Sequence, residues 1–340
     1  MRRLAVVSLC LLACTSARAA GFDLERPEVR SFIDDVASKN HLDRAWVVRM
    51  VAAADSKSAI IDAMNKPAER ARAWFEYRAI FLTEKRIREG REFLAAHRET
   101  LDKVAQRSGV PGEVIAAIVG VETSYGHTTG KWRVLDALAT LAFDYPARAT
   151  YFRGELEQFL LLSREVGFDP LAATGSYAGA MGAPQFMPRS YRSFAKDGDG
   201  DGRIDLWADW SDIFESVANY MVTHGWRRAE PLFTTAELWN PDIEDLPGNR
   251  LDPNETVGSL AAKGVIFTTA LPAGTSALFL ALRNADAPTY RVAFHNFWVI
   301  TRYNHSAMYA LAVSELAAAI GVSDSPPATP APDAPVGRTP

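Results

Sequence analysis

The chain has 340 residues, of which 48% are hydrophobic and 23% charged, with a formal net charge of −4. That length holds one large domain or two smaller ones with a sizeable core, and the composition is that of an ordinary soluble globular protein. The acidic balance argues against nucleic acid as the main partner, and the two cysteines, Cys10 and Cys14, leave the rest of the chain without a disulfide framework or a cysteine-zinc site.

In chain order, Arg2 and Arg3 precede an apolar run from Leu4 to Ala13, and Ala17-Arg18-Ala19 supplies a small-x-small cleavage signal. This reads as a secretory signal peptide over residues 1–19, too short for a stable membrane span. Leu11-Leu12-Ala13-Cys14 also resembles a bacterial lipobox, so lipid anchoring at Cys14 is the alternative. Cleavage near Ala19 removes three arginines and no acids, which takes the net charge from −4 to −7.

Val29, Phe32, Ile33 and Val36 follow the i, i+3, i+4, i+7 pattern of a buried helical stripe. Asp43 can cap a second helix that carries Trp46, Val47, Met50 and Val51 inward. An aromatic cluster follows at Trp74, Phe75, Tyr77 and Phe81, read mostly as core. One long charged helix is expected from Thr83 to Arg107, ending at Ser108-Gly109.

The next stretch, Val114 to Gly126, carries the chemistry. Seven of the eight residues before Glu122 are apolar, and on a helix Ile115, Ile118 and Val119 share its face. Burial and the negative end of the helix dipole both raise the pKa of a carboxyl placed there, with Gly126 as the expected helix end. Such an acid can stay protonated near neutral pH and donate a proton. On this stretch alone, a glutamate merely paired with an arginine, or solvated at a helix end, is the commoner reading.

Val134, Leu135, Leu138 and Leu141 make another helical stripe, interrupted at Asp144-Tyr145-Pro146. Tyr151, Phe152, Phe159 and Leu160 continue as a helix that stops near Gly167. A glycine-rich segment, Gly175 to Pro188, lacks the features of a P-loop or a nucleophile elbow. It offers Ser176, Tyr177 and Gln185 as hydrogen-bonding groups beside backbone that a ligand can approach closely.

Asp197, Asp199, Asp201, Gly202, Arg203 and Ile204 occupy positions 1, 3, 5, 6, 7 and 8 of an EF-hand calcium loop, Arg203 through its carbonyl. Position 12 is Ala208, where a bidentate glutamate is usual, so Asp209 or Asp212 would have to close a lengthened loop. A single loop without a partner suits a structural calcium ion. The six histidines show no compact ligand spacing, which disfavours zinc.

From about Gly225 prolines break up the chain, and Leu278–Leu282 and Tyr290–Phe294 read as short strands. Helix is expected again from Phe297 to about Ile320, and residues 323–340 form a Pro/Ala-rich disordered tail.

Four segments together resemble the lytic murein transglycosylase B family, glycoside hydrolase family 103. They are Gly120–Gly126, Tyr177–Pro188, the Asp197 loop with Leu206-Trp207, and Asn296–Asn304, and the resemblance runs from about Phe22 to Val322. It implies a mainly α (α+β) fold with a lysozyme-like catalytic core, additional helices and a small β portion. The implied domain covers residues 20–322, with the core at about 83–225 and 296–322 and a β-containing insertion at about 226–295.

The implied activity is cleavage of the MurNAc-β-1,4-GlcNAc bond of peptidoglycan with formation of 1,6-anhydromuramic acid ends, and Glu122 matches the single catalytic acid. Ser176 and Gln185 are implied as sugar contacts, and Tyr303, Asn304 and Tyr309 as a wall of the cleft. Tyr77, Arg148 and Tyr220 are implied as further glycan or peptide-stem contacts. Asp212 aligns with the carboxylate that closes the cation loop. The family often has two adjacent arginines where this chain has Ala147 and Arg148. The expectations are then a calcium ion, no organic cofactor, peptidoglycan strands and other cell-wall enzymes as partners, a monomer, and a periplasmic location. Two other chemistries stay open: a lysozyme-type hydrolase, for which Asp144 is the nearest second carboxylate in sequence, and a non-catalytic peptidoglycan-binding protein.

Overall fold

The computed structural model describes residues 21–66, 72–239 and 251–322. The expected leader with Cys10 and Cys14, the tail at 323–340, and Pro241 and Pro247 lie outside the described residues.

In chain order the helices are α1 (Pro27–Lys39), α2 (Arg44–Ala52), α3 (Ser58–Asn65), α4 (Trp74–Phe81), α5 (Glu84–Ala96), α6 (Arg98–Ser108) and α7 (Gly112–Thr123). They continue as α8 (Val134–Phe143), α9 (Ala149–Val166), α10 (Pro188–Phe194), α11 (Trp210–Thr223), α12 (Val257–Ala262), α13 (His295–Tyr303) and α14 (Ala307–Gly321). The strands are β1 (Trp132–Arg133), β2 (Thr174–Gly175), β3 (Phe233–Leu238), β4 (Glu255–Thr256), β5 (Val265–Phe267), β6 (Ser276–Leu282) and β7 (Thr289–Ala293). The mainly helical class with a small β portion is what the sequence led us to expect.

The chain divides into two compact units, one formed by the residues up to Lys66 with Lys131–Ala180, the other by the residues from 67 to Gly130 and from Met181 onward. The stretch 83–225 is distributed over both. In the first unit α8 is buried along its whole length and packs against α9. Asp43 accepts the Ala45 N–H and starts α2, and Gly167, at φ 82°, ends α9 in the left-handed region that suits glycine. Strands β1 and β2 form a short antiparallel pair.

The second unit is built around α7, which packs against α5, α6, α11 and α14 and buries nine of its residues. Its sheet is five-stranded and antiparallel, in the order β4-β6-β7-β3-β5. Val257, Leu260, Val265, Phe279, Val292 and Phe294 give it a core of its own.

Three expected helix boundaries are corrected here. The single helix over Thr83–Arg107 is two, α5 and α6, because the chain bends at His97, whose ring packs against Phe93, Trp210 and Phe214 at 4.6, 5.1 and 5.5 Å. The helix expected over Phe297–Ile320 is also two, since Ser306 caps α14 by accepting the Tyr309 N–H and Asn304 is extended. Helix α7 ends earlier than Gly126. Ser124 at φ 51° and Tyr125 at φ 61° already turn left-handed, and the Tyr125 N–H reaches back to the Val119 carbonyl in a Schellman-type closure.

Candidate active site

Glu122 stands in the last turn of α7, half-buried. Burial raises its carboxyl pKa from 4.5 to about 7, against a smaller lowering by the hydroxyl of Tyr309, which donates to Oε1 at 2.6 Å. A charge-assisted bond of that length favours the carboxylate; desolvation favours the acid, and here desolvation wins. The result is a group poised between its two protonation states at neutral pH.

Tyr309 is in the first turn of α14 and Tyr303 at the end of α13, and the break between these helices sets their rings in parallel at 6.3 Å. Tyr303 donates to the Pro184 carbonyl at 2.6 Å, and its ring meets Phe186 and Tyr220 at 5.8 and 4.8 Å. Tyr220 donates to the Arg302 carbonyl at 2.7 Å. Burial, then the nearby Glu122, pushes the phenols of Tyr303 and Tyr309 well above the usual tyrosine range, so both stay hydrogen-bond donors. Tyr77, buried in α4, is close enough to Tyr309 to contribute to that shift. Asn304 is exposed in the connection between α13 and α14.

Gln185 sits at φ 52° in a tight turn, with its amide N–H groups on the Gly182 and Thr129 carbonyls at 2.8 and 3.0 Å. Its side-chain carbonyl is thereby held in one orientation. Ser176 and Arg148 belong to the other compact unit. The Ser176 hydroxyl accepts the N–H groups of Ala178 and Ala180, and Arg148, exposed, lies over the rings of Tyr151 and Phe152 at 4.6 and 5.2 Å. Asp144, the sequence candidate for a second carboxylate, is engaged at both oxygens, by Arg26 at 2.7 Å and by Ser56 at 2.6 Å.

Several residues that fix the site had not been singled out from sequence. Thr123 donates to the Ala183 carbonyl at 3.0 Å and accepts the Gly126 N–H at 3.0 Å, which ties the turn after Glu122 to the glycine-rich segment. Behind α7, Arg86 donates to the Gly120 carbonyl at 3.2 Å and to Ser124 Oγ at 3.0 Å, and Tyr125 donates to the Arg86 carbonyl at 3.0 Å. Gly90 and Gly120 were the available signal. A Cβ at either would lie 2.2 or 2.6 Å from the Tyr125 side chain, so both helices are glycine where that ring packs.

The carboxylate oxygens of Asp197, Asp199 and Asp201 converge to within 4.8 Å of one another at the surface. Asp197 accepts the Gly200 and Gly202 N–H groups at 2.6 and 2.8 Å, and Gly200 and Gly202 take the positive φ values the turn requires. This is an oxygen-only donor set with three negative charges, which fits a hard cation such as calcium. Asp209 caps α11 through the Ser211 and Asp212 N–H groups. Asp212 is buried, and its two oxygens accept the Gly198 and Asp205 N–H groups at 2.7 Å each, bracing the two sides of the loop.

From this loop a chain of contacts leads back to Glu122. The Ala183 N–H bonds to the Leu206 carbonyl at 2.8 Å, and a Cβ on Gly182 would lie 2.3 Å from that same oxygen. The loop therefore packs directly under the turn that holds Gln185 and Thr123.

A mainly helical fold with one desolvated carboxyl in an aromatic, hydrogen-bonding surround defines an enzyme-like site built for proton transfer by a buried acid. The chain belongs to the transglycosylase SLT domain family, whose model matches residues 24–318. It is 39% identical over 306 residues to the membrane-bound lytic murein transglycosylase B of Escherichia coli (strain K12), covering 87% of this chain and 83% of that one. The crystal structure of the soluble lytic transglycosylase SltB1 from Pseudomonas aeruginosa aligns with a TM-score of 0.83 at 44% identity, covering 86% of this chain and 98% of that chain. The Escherichia coli lytic transglycosylase Slt35, solved in complex with calcium, aligns with a TM-score of 0.80 at 39% identity, covering 89% and 95%. By this membership the chain is a lytic murein transglycosylase.

Proposed function

We propose that Glu122 carries both proton transfers of the transglycosylase reaction. In the protonated form it gives its proton to the glycosidic oxygen between MurNAc and GlcNAc, and that bond breaks as positive charge grows at C1. The resulting carboxylate then takes the proton of the muramoyl 6-hydroxyl, whose oxygen closes on C1 to give the 1,6-anhydro end. No water enters and the acid is regenerated. A two-carboxylate glycosidase would need a second group as nucleophile or to activate water.

The observation that carries this reading is the desolvated Glu122 carboxyl in the last turn of α7, held by Tyr309 at 2.6 Å; burial pushes it up to about 7, and a group with both duties must gain and lose a proton at working pH. The engagement of Asp144 by Arg26 and Ser56 favours it over a lysozyme-type hydrolase.

In the same reading Gln185 and Ser176 contact the sugar and its acetamido group. Tyr303, Asn304 and Tyr309 wall the cleft, and Tyr77, Tyr220 and Arg148 contribute further glycan or stem contacts. Calcium is held by Asp197, Asp199 and Asp201 with the Arg203 carbonyl, and Asp212 completes the loop. The transglycosylase domain spans residues 20–322, with the sheet-bearing part at about 226–295 as an insertion. Export through residues 1–19 brings it to murein in the periplasm, with a lipid anchor at Cys14 as the alternative. Among the described residues no helix is long and apolar enough to cross a membrane.

The test is digestion of purified murein by the wild type and by Glu122→Gln. Anhydro-ended muropeptides from the first and none from the second are expected; full activity in Glu122→Gln would refute the assignment.

A further inference from the structure

Behind the catalytic turn lies a cleft of about 420 Å³ lined by Thr83, Lys85, Arg86, Glu89, Ser124, His127 and Thr128. Glu122 is not among these residues, and none of them has a role in the reaction proposed above. Arg86 is half-buried and desolvated, yet its acceptors are neutral: the Gly120 carbonyl and Ser124 Oγ use two of its five N–H groups. The guanidinium also lies over the Phe81 ring at 5.4 Å, and no carboxylate among the described residues is within ion-pair distance of it. Glu89, the single acid in the lining, pairs with Lys85 at 3.7 Å.

Glu89 acts on Arg86 through its charge alone, without a hydrogen bond, and shares that charge with Lys85, so the two cations and one acid leave the cleft a net positive charge for an anion to neutralise. Lys85 and His127 add two cationic or donor groups, and three hydroxyls complete a rim of oxyanion-binding chemistry. The cleft also opens at the start of the 13-residue α5, where Thr83 accepts the Arg86 N–H and the preceding N–H groups have no helical partner.

We propose that this cleft is an oxyanion-binding site, taking a carboxylate, sulfate or phosphate group between Arg86, Lys85 and His127. An anion there holds Arg86 against the Gly120 carbonyl and Ser124, and so steadies the turn that carries Glu122 from its rear face. The site does not depend on the reaction chemistry, and its test does not read activity.

The ring protons of His127, assigned by His127→Gln, report occupancy by NMR on the full chain with calcium present at fixed pH. Sodium sulfate and N-acetylglycine are titrated against sodium chloride at matched ionic strength. The proposal expects a saturable shift beyond the chloride control, with Kd at least tenfold weaker in Lys85→Ala, whose side chain is 75% exposed. Tighter binding of N-acetylglycine identifies a peptide carboxylate as the natural occupant, and tighter binding of sulfate a free inorganic oxyanion. Shifts no larger than those with chloride, or a Kd unchanged in Lys85→Ala, would overturn it.

Discussion

Burial and Tyr309 pull the Glu122 carboxyl in opposite directions, and the balance makes separable predictions. Tyr309→Phe removes the hydrogen bond that lowers the pKa, so Glu122 should titrate above its present value of about 7. The alkaline limb of the kcat profile should move up while kcat at its optimum falls by roughly tenfold to a hundredfold, since a hydrogen bond to a charged group is worth about 1.5–3 kcal/mol. An unchanged alkaline limb would mean that the 2.6 Å contact does not act on the titrating group.

The same shift costs stability. Because the folded pKa lies above the unfolded one, the native state binds the proton more tightly, and stability falls as pH rises from about 4.5 through about 7. At pH 8 the penalty is on the order of 3 kcal/mol. Glu122→Gln should therefore melt higher than the wild type at pH 8 and show little difference at pH 4.

At this scale the sequence pointed to Glu122, because Ile115, Ile118 and Val119 place its carboxyl on an apolar helix face, although that stretch alone left a paired or solvated glutamate open. It could not reveal that Tyr309 is its partner, 187 residues away in the chain. Tyr303, Asn304 and Tyr309 came from family resemblance, and helical spacing alone does not single them out.

At the scale of elements, three left-handed residues in a row, Ser124, Tyr125 and Gly126, close the catalytic helix. Two of them are not glycine, and each such residue costs about 1–2 kcal/mol in backbone strain. The packing of Tyr125 on Gly90 and Gly120, with its bond to the Arg86 carbonyl, is what offsets that cost. Gly120→Ala places a methyl 2.6 Å from the ring and should lower stability by about 1–3 kcal/mol, read as a fall in the denaturant midpoint without a change in slope. A midpoint equal to that of the wild type would show that the ring can move aside freely.

The helix boundaries that the sequence misjudged have the same origin. His97 and Asn304 are compatible with helix by local preference, and it is tertiary packing around His97 and capping by Ser306 that divide the helices there.

At the scale of the whole molecule, the acidic loop and the catalytic turn belong to one compact unit and are joined through Leu206, Ala183 and Thr123. Three carboxylates within 4.8 Å repel one another unless a cation neutralises them. Chelation should therefore lower Tm, calcium should restore it, and murein cleavage should fall with it because Gln185 and Thr123 lose their support. A Tm that stays constant when chelator is added to the metal-loaded protein would remove calcium from the account. The loop's donors were readable in sequence because ligand spacing is local, whereas the bracing role of Asp212 depends on a fold-back that spacing does not encode.

The central claim is that one carboxyl performs both proton transfers and that water takes no part. Digestion of murein in ¹⁸O-labelled water, followed by mass spectrometry of the released muropeptides, tests it directly. The account predicts muramoyl ends lighter by one water than hydrolysed ends and free of ¹⁸O; reducing ends carrying one ¹⁸O would contradict it.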